Sequence, residues 1–172
     1  MQDILDALLD SWDRNNTILK NLVLALPEDA LDLRATSTSQ TIGGLIAHMH
    51  YCRVVFVKED APESAIAIPD DHWRSEQDPR RLAVLLDESS AVVKNAVRKR
   101  LATGQPMDTH YDHPILLLQH MIWHEGYHHG QIKLTLKQAG QAFDDEEIGA
   151  ITWDVWMDKA DGGQAGGRAG GQ

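Results

Sequence analysis

The chain has 172 residues, 42% hydrophobic and 24% charged, a composition ordinary for one soluble globular domain with a core of useful size. Sixteen Lys and Arg against 26 Asp and Glu give a formal charge of −10, which argues against nucleic-acid binding, because that draws on cations meeting phosphates. A single cysteine, Cys52, excludes an intrachain disulfide; no run nears the roughly 18 apolar residues of a membrane helix, and the start MQDILDALLDSW is acidic and amphipathic rather than signal-like, so a cytoplasmic protein off the membrane is expected.

Four long segments carry helical periodicity, and none shows sustained period-two alternation. The first spans about Gln2 to Leu26, with Ile4, Leu5, Leu8, Leu9, Trp12, Leu19, Leu22, Val23 and Leu26 on one stripe and Pro27 closing it. Asn15 and Asn16 interrupt that stripe and read as surface residues, with a polar lining inside the bundle as the alternative. Hydroxyls in the run 35–41 suit the start of a second helix, about Ile42 to Lys58. Residues 59–77 read as a long connection. Asp78-Pro79 and Asp112-His113-Pro114 are start signals for a third helix, to about Leu101, and a fourth, to about Ala139. Gly140 is the expected C-cap, and Glu146 to Met157 a short fifth helix. The expected fold is all-α: an up-and-down four-helix bundle over residues 1–158, followed by a flexible Gly-rich tail over 159–172.

Nine histidines are the oddity, five of them between His113 and His129. His124 and His128 lie one helical turn apart, about 6 Å along the axis, and can point at one ion. His120 extends that face, while His129 is turned about 100° away. Bundle sites take ligands from facing helices. The second helix offers His48, within its apolar stripe, and His50, outside it; His48 is the chosen third ligand. His50, His72, His110 and His113 read as ordinary core or surface histidines. Three imidazoles suit a divalent transition metal, zinc or nickel first. They leave a position for water or substrate.

His124-Glu125-Gly126-Tyr127-His128 also matches the H-E-x-x-H protease motif, with Glu125 as base. No strand pattern precedes it, so Glu125 reads instead as a surface or interface carboxylate. Cys52, one turn after His48 and on the same face, reads first as a small buried hydrophobe, with approach to the metal as the lesser alternative. Gly126 and Gly130 read as close-packing positions inside the bundle, with a dimer seam as the alternative.

The block HMIWHEGYHHGQIKLTLKQAG, with TIGGLIAHMHYC upstream, resembles the DinB/YfiT-like metalloprotein family over about residues 1–157. The family pattern falls on His48, His124 and His128, with Gly130-Gln131 following; His129 and Tyr127 depart from common residues at positions that are not ligands. The resemblance implies a bundle, often a homodimer, whose three-histidine metal site opens at one end. It also implies a small-molecule substrate, with thiol S-transfer using a low-molecular-weight thiol among the activities. Hydrolysis by metal-bound water is the companion expectation, and a non-catalytic metal-binding or stress-response protein the alternative. No residue is singled out as catalytic beyond the metal site itself.

Overall fold

The computed structural model describes residues 2–68 and 75–158. His72 and the Gly-rich tail lie outside the described residues. Four long helices carry the structure: α1 (Gln2–Ala25), α2 (Ile42–Asp60), α3 (Pro79–Thr103) and α4 (Pro114–Gln138). Two short ones follow, α5 (Asp145–Ile148) and α6 (Asp154–Met157), joined by a π-helical turn over Gly149–Trp153. Among the described residues the only β pairing is an isolated bridge, Arg34 with Thr41.

The helix starts follow local chemistry. The Thr41 hydroxyl accepts the Gly44 N–H at 2.9 Å, and the Asp78 carboxylate accepts the Arg80 N–H at 2.9 Å. A side-chain cap of this kind contributes about 1 kcal/mol. At α4 the cap is His113, whose Nδ1 accepts the Ile115 N–H at 3.3 Å. Gly140 takes the left-handed conformation (φ 72°) one residue beyond the C-cap Ala139. The fifth helix expected over Glu146 to Met157 is broken by the π turn.

α1 packs chiefly on α3, and α2 lies against both α3 and α4. The apolar interior forms two clusters. One gathers Leu19, Leu22, Ile42, Ile46, Leu86 and Ile132; the other gathers Trp12, Val57, Val93, Val97, Leu117 and Met121. On α2 the first cluster ends at Met49 and the second begins at Val57; on α4 they are separated by residues 122–131. The level between them is where the polar side chains of α2 and α4 meet, and the site lies there.

Four sequence expectations change. α2 is covered on most of its circumference, so His50 is as enclosed as its apolar neighbours, and its Nδ1–H donates to the Leu85 carbonyl at 2.8 Å. Asn15 and Asn16 are buried, not surface residues. Gly126 and Gly130 do not pack inside the bundle: both are exposed, and a Cβ at either would meet nothing within 4 Å. Ile4 also falls outside the core.

Candidate metal centre

α2 delivers His48 and, one turn later, Cys52; α4 delivers His124 and His128. The three histidines named from spacing converge. His124 Nε2 lies 3.3 Å from His48 Nε2 and 3.1 Å from His128 Nε2. The His48 and His128 rings meet edge to face with centroids 5.1 Å apart. Cys52, read from sequence first as a bystander, faces the same point: its Sγ is 3.5 Å from His48 Nε2, and His48, Cys52 and His124 each place a ligand atom within 4.8 Å of the others.

Protons decide what this cluster is. The His128 Nδ1–H donates to Gln131 Oε1 at 2.7 Å, which leaves its Nε2 as a bare lone pair facing His124. A neutral imidazole has one N–H. If His124 carries it on Nε2, that hydrogen serves one neighbour and leaves the other contact without one. If it sits on Nδ1, lone pairs face each other at 3.1 Å, and Nδ1 is buried with no hydrogen-bond partner. Neither tautomer satisfies both contacts. Protonation is a poor remedy, because burial and the adjacent His128 and His48 push His124 down to about 4. Burial, with His128 beside it, lowers His48 as well.

A cation resolves the conflict, since three lone pairs can then point at one charge. For metal–nitrogen bonds of about 2.0–2.1 Å, a tetrahedral edge is roughly 3.3–3.4 Å, close to the separations of His124 Nε2 from His48 Nε2 and from His128 Nε2, with Cys52 in the group of mutually close ligand atoms beside His48 and His124. The residues therefore fit a divalent metal. Gln131 supports that fit by holding His128 in the tautomer that frees Nε2. Its own Nε2–H donates to the Tyr127 hydroxyl at 3.1 Å. Burial pushes the Cys52 thiol up to about 11, with the Glu125 carboxylate adding to it, so Cys52 is a neutral thiol unless a metal takes its proton.

A cleft of about 410 Å³ opens beside the rings. Its lining includes Leu45, His48, Tyr127, His128, Gln131 and Thr135 from the helices and Ala35, Ser39 and Gln40 from the loop before α2. Among the described residues, no Lys, Arg, Asp or Glu lines it. The loop braces itself: Arg34 donates to the Ser39 carbonyl at 2.9 Å, and the Thr36 and Ser39 hydroxyls lie 2.7 Å apart.

The other described histidines lie outside this contact group. His120 is one turn before His124, with ring centroids 6.2 Å apart, and its Nδ1 shares a 2.7 Å hydrogen bond with the Tyr111 hydroxyl. His110 binds Asp60 at 2.8 Å, and the Asp60 carboxylate also accepts the Thr109 and His110 N–H groups. His129 is turned away from the cluster as its spacing requires, and burial pushes it down to about 4.

Glu125 corrects the sequence reading most. It is neither on the surface nor free to act as a base: it is 0% exposed, and both oxygens are engaged. Arg53 Nε donates to Oε1 at 2.5 Å and Nη2 to Oε2 at 2.8 Å, while Asn15 donates to Oε2 at 2.6 Å. Arg53, also 0% exposed, donates through Nη1 to Asn16 Oδ1 and to the Leu86 carbonyl, both at 2.8 Å. The Trp12 ring lies 4.7 Å from its guanidinium carbon. Removing one partner from such a pair costs about 3–5 kcal/mol. The sequence held a signal for it: Glu125 is the only Asp, Glu, Lys or Arg between Pro114 and Ile132, and a lone charge in an apolar helix implies a buried partner.

Helical bundles with histidines converging between facing helices form a recognisable class of metal-site scaffold. Within that class the chain belongs to the DinB family, whose family model matches residues 1–145. No curated protein and no solved structure matches the chain.

Proposed function

We propose that His48, His124 and His128 hold a divalent transition metal ion, zinc or nickel first, and that the chain is a metal-dependent enzyme acting on a small molecule in the adjoining cleft. The observation that carries this reading is the meeting of three ring nitrogens at His124, whose neutral tautomers each leave one of its two contacts unsatisfied. A bound ion would supply Lewis acidity, either acidifying water or holding a thiol as thiolate. Thiol S-transfer and hydrolysis both draw on that chemistry. The chain's own part is to present three neutral imidazoles, to orient His128 through Gln131 and to offer an uncharged cleft. The protease reading lacks support, because the carboxylate it needs as base is consumed by Arg53.

Metal analysis of protein purified without a histidine tag tests the first half. About one equivalent of metal is expected; under a tenth of an equivalent after reloading sinks it. The second half is tested by assaying a model electrophile with several low-molecular-weight thiols, and a set of activated esters. Turnover only by the metal-loaded protein supports an enzyme, and none favours a metal-binding protein without catalysis.

We also propose that a second copy covers the exposed face of α4. Leu116, Trp123, Tyr127 and Leu134 are exposed there and spaced to form one stripe, beside the open positions of Gly126 and Gly130. No exposed Asp, Glu, Lys or Arg lies between Pro114 and Ile132, so two chains of −10 charge meet without local repulsion. Sedimentation should report a dimer that Trp123→Glu dissociates; a monomeric parent chain refutes it.

A further inference from the structure

The Arg53–Glu125 pair lies immediately beside the candidate ligands in sequence: Arg53 follows Cys52, and Glu125 follows His124. Its contacts reach every long helix. From α2, Arg53 bonds Glu125 on α4, Asn16 on α1 and the Leu86 carbonyl on α3. Asn15 on α1 closes the ring by donating to Glu125. Such a pair is a poor choice for stability alone, because desolvating two charges offsets most of their attraction, and apolar residues of similar volume do as well or better. What the pair offers is geometry. A guanidinium fork on a carboxylate fixes distance and orientation together. A slip of one residue along either helix, about 1.5 Å, would break both bonds. A metal site tolerates far less, about 0.2 Å in a bond length.

We propose that Arg53 and Glu125 are positioning residues that set the register of α2 against α4, and so hold His48 at metal-binding distance from His124 and His128. This rests on the metal reading above. It assigns Glu125 a task unlike the base of an H-E-x-x-H enzyme: the carboxylate never meets the metal or a substrate and acts only through the helices it joins. Asn15 and Asn16 aim the fork, which accounts for two polar residues inside an otherwise apolar stripe.

Stability and positioning can be separated. In the double variant Arg53→Met, Glu125→Leu the core remains filled and no charge is left unpaired. Thermal unfolding of its metal-free form should remain a single cooperative transition, lowered by the partners that Asn15, Asn16 and the Leu86 carbonyl lose. Zinc affinity, measured by competition with a chromophoric chelator, should fall about 10- to 100-fold, the range seen when groups that orient metal ligands are removed. The visible spectrum of the cobalt-substituted protein should change shape as its coordination relaxes. Parent-like zinc affinity and cobalt spectrum in the folded double variant overturn the proposal. Should that variant fail to fold, Arg53→Lys keeps the charge and loses the fork; weaker zinc binding is expected, and parent-like binding overturns the proposal equally. A parent protein that binds no metal sinks the metal reading itself, whereas a parent that binds and variants that bind equally sink only the positioning role.

Discussion

Two polar clusters sit side by side between α2 and α4, and they differ in what completes them. In the inner one every charge has a partner: Arg53 and Glu125 face each other, and Asn15, Asn16 and a carbonyl fill the remaining directions. In the outer one Gln131 holds His128 Nδ1 and Cys52 lies beside His48, but His124 Nε2 meets two other ring nitrogens and neither of its neutral tautomers satisfies both contacts. The first is closed and inaccessible; the second borders a cleft. Burial of polar groups is tolerated where hydrogen bonds close the account. Where they do not, a bound cation is able to supply what the protons lack.

The strongest way to break that contrast is at the hub. His124→Ala removes the ring that touches both others, and metal binding should be lost altogether in a stoichiometry measurement. Retention of a full equivalent would mean that the ion sits elsewhere. Gln131→Leu is the subtler probe: it frees His128 to adopt the other tautomer while leaving the three ligands in place. A fall in metal affinity of about tenfold is expected. Unchanged affinity would remove Gln131 from the account.

Acid sharpens the comparison further. His124 and His129 are held neutral in the fold, their titration displaced from 6.5 to about 4. Below 6.5 the unfolded chain takes up protons that the folded chain refuses, so their contribution is whole above 6.5 and is lost as pH falls towards 4. Thermal melts of the metal-free protein should decline across that window. An equal decline with metal bound, relative to pH 7, would argue against His124 as a ligand. The smallest effect belongs to His129→Ala, which should leave metal affinity unchanged within about twofold and flatten the acid decline. A loss as large as that from His124→Ala would refute the chosen face.

The sequence was legible where one local rule dominated. Asp78-Pro79 starts α3 at the expected residue, and one-turn spacing placed His124 and His128 on a common point, because both follow from the geometry of a single helix. His48 was found from its place in the apolar stripe of α2. Reading stripes failed where polar residues satisfy one another across helices. Asn15, Asn16 and Glu125 look like surface residues one helix at a time, and only the four-helix assembly brings Arg53 to them. His50 misled for a related reason: a helix enclosed on most sides has no outward face to which a polar side chain can be assigned. Cys52 was judged by what free cysteines usually do, whereas its position one turn from His48 was the better guide. Gly126 and Gly130 show that small residues do not by themselves say which surface approaches them.

The cleft has walls of different origin. The donors stand on α2 and α4, in register with the buried fork, whereas Ala35, Ser39 and Gln40 come from a loop braced by its own hydrogen bonds. The two walls are thereby separable in the gene. A library confined to those three codons changes one wall of the cleft while the histidine cluster stays constant, and a lineage diverging by drift has the same route open to it.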